Sequence, residues 1–191
     1  MAQVYSQNAV GYVNTVIQPG FNLIANPLIQ TPKTLAALLP APPFGTTYYK
    51  FTYGSGYSIN SFSADTGEWD PTGLETMDLG GGGFLLNPTA TPFTFTFVGE
   101  VAQGTLTNPI GVGFNCVSSR VPQTGTMTQL GYTPVFGETV YTYDAVLGYS
   151  INTYSADTEG WDPAEPVIKV GEAFFTSNPS AHPWTRAFSV N

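Results

Sequence analysis

Carboxylates and a tryptophan fall together twice in this chain, as Asp65, Glu68, Trp69 and Asp70, and again as Asp157, Glu159, Trp161 and Asp162. An indole offers a flat apolar face on which a sugar ring can stack, while neighbouring carboxylates accept hydrogen bonds from its hydroxyls. The same oxygens could hold calcium, a hard cation that takes oxygen ligands. Neither stretch has the spacing of a calcium loop, however, and Gly67-Glu68 becomes Glu159-Gly160, so the glutamate shifts by one place. A strictly positioned ligand would not drift in this way. Calcium is therefore a minor expectation, and no other cofactor is expected. The plain alternative is a solvated hairpin loop in which Asp70-Pro71 and Asp162-Pro163 form turns, with each indole folded over the end of a sheet. The candidate ligand residues are thus Asp65, Trp69, Asp70, Asp157, Trp161 and Asp162.

Other chemistry finds less support. Glycoside hydrolysis needs two carboxylates across a cleft, one of them held protonated, and thirteen acidic residues always allow some pair. The sole histidine, His182, lies in Ser180-Ala181-His182-Pro183 and reads as a loop residue, not a base. Cys116 is the only cysteine, which excludes an internal disulfide, and it stands where the first half of the chain has Leu23, so it reads as a small buried hydrophobe. One histidine and one cysteine cannot make a structural zinc site, and no Gly-x-Ser-x-Gly nucleophile motif occurs. Gly80-Gly81-Gly82-Gly83 lacks the Gly-Lys-Ser/Thr of a phosphate loop and reads as a tight turn into a strand at Phe84. No catalytic residue is assigned, and the chain is not expected to be an enzyme.

The elements that must carry these residues are themselves repeated. Gly56-Tyr57-Ser58-Ile59-Asn60-Ser61-Phe62-Ser63-Ala64-Asp65-Thr66 returns as Gly148-Tyr149-Ser150-Ile151-Asn152-Thr153-Tyr154-Ser155-Ala156-Asp157-Thr158, at a constant offset of 92 that also joins Trp69 to Trp161. Upstream, Gly20-Phe21-Asn22-Leu23 meets Gly113-Phe114-Asn115-Cys116; downstream, Gly80, Phe84 and Asn87-Pro88 meet Gly171, Phe175 and Asn178-Pro179. The copies run from about Val10 to Phe97 and from about Val101 to Phe188. Thr94 to Leu106 reads as one continuous strand shared by both, so residues 1–191 are expected to form one integrated domain.

Tyr49, Phe51 and Tyr53, and again Phe93, Phe95 and Phe97, lie two apart, the spacing that puts side chains on one face of a strand. Strands are expected over Gly11 to Ile17, Phe21 to Pro27, Thr46 to Phe51, Tyr57 to Ser63, Gly83 to Asn87 and Pro92 to Glu100, with counterparts in the second copy. One short helix is expected at Pro32 to Leu39, capped by Thr31 and burying Leu35, Leu38 and Leu39. The expected fold is all-β: a tandem-duplicated antiparallel sandwich or barrel-like pair of sheets with pseudo-twofold symmetry.

Composition narrows the partners. Charged residues make up 9% of the chain, against about 25% in an ordinary domain, while aromatics make up 14% and the net charge is −8. Five basic residues without a run exclude nucleic acid as a partner, and no apolar stretch is long enough for membrane insertion. Low charge with abundant Thr, Ser, Asn and Gly suits an extracellular protein, and Ala2-Gln3 would suit the start of a mature chain whose leader has been removed, so no signal peptide is expected within it.

Tyr5-Ser6-Gln7-Asn8-Ala9-Val10-Gly11-Tyr12-Val13-Asn14, Gly20-Phe21-Asn22-Leu23-Ile24-Ala25-Asn26-Pro27-Leu28, Trp161-Asp162-Pro163 and Val170-Gly171-Glu172-Ala173-Phe174-Phe175 resemble segments of a family of uncharacterised secreted bacterial proteins. The resemblance implies export and carries no activity or site residues with it.

The expected function is non-catalytic: a secreted structural protein acting by surface contact and assembling with itself into a filament, sheet or coat, through a terminal strand at Val4 to Val13 or Arg186 to Asn191. The alternative is a carbohydrate-binding module whose polysaccharide partner sits at two equivalent Trp/Asp loops, with a glycan-active hydrolase third. Exposed indoles on both copies would favour sugar; buried indoles with bare terminal strands would favour assembly.

Overall fold

The structure, a computed structural model, describes residues 9–190. In β3 (Thr47–Thr52), Tyr48 and Lys50 point to one side and Tyr49 and Phe51 to the other, because successive side chains alternate across a strand. β3 pairs antiparallel with β4 (Gly56–Phe62) and β6 (Gly83–Asn87), which sets Phe51 opposite Tyr57 and Tyr49 opposite both Ile59 and Phe84. β2 (Gly20–Ile24) extends the sheet beyond β6, with Leu23 opposite Phe84, and β5 (Trp69–Asp70) extends it beyond β4. One face of this five-stranded sheet is therefore largely aromatic. The second sheet is built from β9 (Gly113–Ser118), β15 (Ala173–Asn178), β11 (Thr139–Asp144), β12 (Gly148–Ser155) and β13 (Gly160–Asp162). Its order, β9-β15-β11-β12-β13, matches β2-β6-β3-β4-β5 position for position.

Each sheet carries a two-stranded ribbon on its other face: β1 (Val10–Ile17) paired with β7 (Phe93–Glu100), and β8 (Gly104–Ile110) paired with β16 (His182–Phe188). Phe93, Phe95 and Phe97 turn inward, as their spacing predicts, and Thr94 and Thr96 turn out. Ile17 and Phe97 from the first ribbon join Ile24, Tyr48 and Leu85 from the sheet, with Leu35, Leu38 and Leu39 closing the core. In the second half Ile110 and Trp184 join Val140 and Phe174, and Met127 and Leu130 take the closing place. Each such aliphatic or aromatic side chain, fully buried, contributes about 1.5–3 kcal/mol. A further short pair, β10 (Gly125–Thr126) with β14 (Val167–Ile168), borders this second core.

The two aromatic sheet faces meet each other through a third cluster, in which Leu23, Ala25 and Phe84 of the first half pack on Ala173 and Phe175 of the second. Backbone hydrogen bonds cross between the halves in matching pairs. Ala25 N donates to Gly171 O at 2.8 Å, and Ser118 N donates to Gly80 O at 2.9 Å. Ile24 bridges Glu172, and Val117 bridges Gly81. In the repeat alignment Ile24-Ala25 occupies the place of Val117-Ser118, and Gly80-Gly81 that of Gly171-Glu172, so each contact is made once from either side. Such reciprocity is the mark of a self-complementary interface.

All described sheets are antiparallel and open-edged, so the arrangement is sandwich-like and not a closed barrel. Several expectations need correction. Thr94 to Leu106 is not one strand: β7 ends at Glu100 and β8 starts at Gly104, in a different ribbon. The helix α1 is only Leu35–Leu38. Thr31 does not cap it; the first helical N–H groups are met instead by carbonyls of a neighbouring loop, Leu35 N donating to Glu75 O and Ala36 N to Gly73 O. Pro32 precedes the helix. Tyr53 lies beyond the end of β3, in a turn. Residues Val4 to Asn8 of the expected N-terminal strand lie outside the described residues.

The glycine run is also more than a turn. A Cβ on Gly82 would collide with the Cβ of Ala173 across the junction of the halves and with the carbonyl of Ile24 in its own half. Gly82→Ala should therefore lower stability by about 2–3 kcal/mol, as overpacking does, measured by urea unfolding. Adding Ala173→Gly should recover part of that loss, because it removes the clash with the Ala173 methyl but leaves the one with the Ile24 carbonyl.

Candidate functional site

The repeated tryptophans begin in the same local setting. Phe44 stacks on Phe62 at 5.8 Å, and Phe62 meets Trp69 edge-on at 5.7 Å; Phe136 stacks on Tyr154 at 5.4 Å, and Tyr154 meets Trp161 edge-on at 5.4 Å. Beyond that the copies part. Trp69 is 6% exposed, and its Nε1 donates to Leu39 O at 3.0 Å. In the second half the indole that reaches such a carbonyl is instead Trp184, whose Nε1 donates to Leu130 O at 3.0 Å. This leaves Trp161 half-buried, with no hydrogen-bond partner for its Nε1 among the described residues.

Asp65, Asp70, Asp157 and Asp162 are exposed on the loops and strand ends beside these indoles, and no side-chain hydrogen bond or ion pair joins their carboxylates to another described residue. Both turns are instead held by serine: Asp65 N donates to Ser63 Oγ and Asp157 N to Ser155 Oγ, each at 3.2 Å. The shift of the glutamate has a backbone cause. Gly67 and Glu159 occupy the same left-handed position, at φ 69° and 49°, so the turn is kept while the side chain on it changes. Among the described residues no group of three or more His, Cys, Asp or Glu lies close enough together to hold a metal ion.

The densest polar cluster is one the sequence reading passed over. Glu138 is fully buried. Its Oε1 accepts from Tyr132 Oη and from Thr176 Oγ1 at 2.7 Å, and its Oε2 accepts from Val135 N at 3.1 Å and lies 3.2 Å from His182 Nε2. Burial, with the adjacent carboxylate, pushes the Tyr132 phenol well above its ordinary value. His182 is thus not a loop residue; it opens β16 opposite Ile110. Both Glu138 oxygens are engaged, which is what a buried carboxylate requires. One carboxyl, Glu172, is raised by burial; it lies with Asp144 and Lys169 along a groove between the halves. Asp144 Oδ1 in turn caps its own hairpin, accepting from Val146 N at 2.8 Å and Leu147 N at 3.0 Å.

Two of the five basic residues gather around acids in the first half. Lys50 Nζ lies 3.1 Å from Glu75 and 3.3 Å from Asp78, and Lys33 pairs with Asp78. Burial alone would raise both carboxyls, but hydrogen bonds from Ser58 and Lys50 to Glu75, and from Lys33 and Thr76 to Asp78, outweigh it and hold both below the ordinary value.

A paired surface feature lies where the two aromatic faces meet. One recess of about 340 Å³ is lined by Phe21, Tyr49 and Phe84 with Tyr143, and a second of about 400 Å³ by Phe114, Tyr141 and Phe175 with Phe51 and Ile151; Tyr57 and Tyr149 line both. In the repeat alignment each residue of the first recess has its counterpart in the second. The walls are packed across the junction: Phe51 meets Phe175 at 5.5 Å, and Tyr143, in the place of Phe51, meets Phe84, in the place of Phe175, at 5.2 Å. Tyr57 and Tyr149 remain 48% and 53% exposed. Cys116 lies within this aromatic cluster, and desolvation pushes its thiol up to about 12, so it stays protonated as a packing residue.

Comparison with protein-family models, with curated proteins and with solved structures found no match.

Two outcomes follow from these environments. Trp69→Phe leaves Leu39 O buried without its donor and should cost about 1–3 kcal/mol, whereas Trp161→Phe should cost less than about 1 kcal/mol; urea unfolding separates them. Carboxyls whose native values are depressed stabilise the fold above their unfolded values, and that stability is lost as pH falls through the native ones. The urea midpoint should therefore fall on acidification below about pH 4, and Lys50→Met, which removes the ammonium shared by Glu75 and Asp78, should flatten that fall.

Proposed function

We propose that this protein is a non-catalytic, secreted structural protein that works by surface contact and assembles with copies of itself. The observation that carries this reading is the ribbon strand β1. Its eight residues, Val-Gly-Tyr-Val-Asn-Thr-Val-Ile, contain no charge and no proline. Among the described residues β1 has one strand neighbour, β7, so its other edge carries no strand. Natural edge strands are usually blunted by lysine, proline or a bulge, because unpaired backbone groups recruit another chain. Here the outward face instead carries Val10, Tyr12 and Val16, all exposed, with exposed Val98 directly opposite Tyr12. A chain that is β-rich, low in charge and open along such an edge has the means to extend a sheet from one copy to the next.

The expected route through bare terminal strands changes in detail, since β1 and β16 each pair within the chain. Their pairing leaves the outer edge, not the whole strand, as the contact. Secretion rests on the composition and the family resemblance described above.

Sedimentation velocity and negative-stain imaging over a concentration series test the reading. Concentration-dependent growth is expected, and Tyr12→Lys with Val16→Lys should hold the protein monomeric without lowering its melting temperature, since both side chains are exposed. A wild-type protein that stays monomeric at every concentration would refute it.

A further inference from the structure

We infer that the paired aromatic recesses form a binding site for a neutral polysaccharide, laid across Tyr57 and Tyr149 so that successive sugar units enter equivalent subsites. The site is separate from the β1 edge and from the Trp/Asp loops, and the inference does not rest on the assembly reading.

Four observations identify the ligand's chemistry. First, the walls are aromatic rings, of which Phe21, Tyr57, Phe114 and Tyr149 are exposed, and such rings take the apolar C–H face of a pyranose. Second, hydroxyls surround them: the phenol oxygens of Tyr49, Tyr57, Tyr141, Tyr143 and Tyr149 make no hydrogen bond to any described residue, so five phenols remain free for a polar ligand. Burial raises Tyr57 and Tyr149 above the ordinary phenol value, which keeps them protonated as donors at neutral pH. Third, no charged side chain lines either recess, and the chain carries a net charge of −8, so an anionic polymer would be repelled without a compensating cation. Fourth, every aromatic ring of one recess has its counterpart in the other, Ile151 alone being unmatched, and both share Tyr57 and Tyr149. A site with two like subsites on a common ridge suits a ligand that repeats. At about 340 and 400 Å³ each lies at the small end of ligand pockets, the scale of a sugar unit and not of a large cofactor.

The tryptophans of the alternative carbohydrate reading do not offer two equivalent platforms, because the indole of Trp69 is buried, whereas Tyr57 and Tyr149 are both exposed.

The test uses the full chain in pull-downs on insoluble cellulose, chitin and β-1,3-glucan, followed by calorimetry with the soluble tri- and hexasaccharide of whichever polymer retains it. Retention on at least one polymer is expected, with affinity rising by about tenfold or more from tri- to hexasaccharide. Tyr57→Ala and Tyr149→Ala should each lower affinity by about tenfold, since each damages both subsites. Tyr57→Phe and Tyr149→Phe, which keep the ring and the packing, should lose less, and Trp161→Ala should leave binding within about twofold. Retention on none of the three polymers would overturn the proposal. So would binding lost with Trp161→Ala but kept with Tyr57→Ala and Tyr57→Phe. Wild-type protein that ignores all three polymers but changes from oligomer to monomer on Tyr57→Phe or Tyr149→Phe would assign the recesses to contact between copies instead.

Discussion

The close approach at Gly82 and Ala173 sets the geometry of everything else. Two backbones can come this near only where one side has no Cβ and the other has a methyl, and only because the polar groups brought together there pair with each other: Ala25 with Gly171, Ser118 with Gly80. Buried amides and carbonyls left without partners would oppose the contact. With them paired, the two aromatic faces are held against each other, and the recesses beside Tyr57 and Tyr149 are lined by rings of both halves.

This geometry separates what the repeats share from what each has made its own. Shared are the strand order, the cross-junction hydrogen bonds and the stacked pairs Phe44–Phe62 and Phe136–Tyr154. Not shared is the way each core is closed. The first half uses α1 and the Trp69 indole; the second uses Leu130, Trp184 and the buried Glu138 knot, where the first half has Thr46. Function follows the shared part in the proposed sugar site and the particular part in the β1 edge. The corresponding strand of the second ribbon, β8, contains Pro109 and pairs with a strand carrying Arg186, both of which blunt an edge.

Much of this was readable in the chain. A period of two in Phe93, Phe95 and Phe97 reports directly which side of a strand is buried, and Gly or Pro between such runs marks their ends, so strand positions needed no tertiary information. The helix was overextended because Thr31-Pro32 resembles a helix start, whereas the real start is chosen by carbonyls at Gly73 and Glu75, distant in sequence. Gly82 reads as a turn residue for the same reason: what it faces, Ala173, is fixed only when the halves meet. Each aromatic recess draws on six strands, four from one half and two from the other, so no window of sequence contains it, although the matched columns Phe21/Phe114, Tyr49/Tyr141 and Tyr57/Tyr149 are present in the alignment. Glu138 and His182 announced themselves only as columns where the repeats disagree, with Thr46 and Thr91 opposite.

The central claim is that the junction joins the two repeats into one cooperative body on which the exposed aromatic surface depends. Equilibrium urea unfolding, followed by fluorescence in two variants that retain a single tryptophan, Trp69 in the first half or Trp184 in the second, tests it most directly. The account predicts that in each variant the midpoint from the indole coincides with that from far-UV circular dichroism, whatever the variant's own stability. Two separated transitions, with the half around Trp69 melting independently of the half around Trp184, would contradict it.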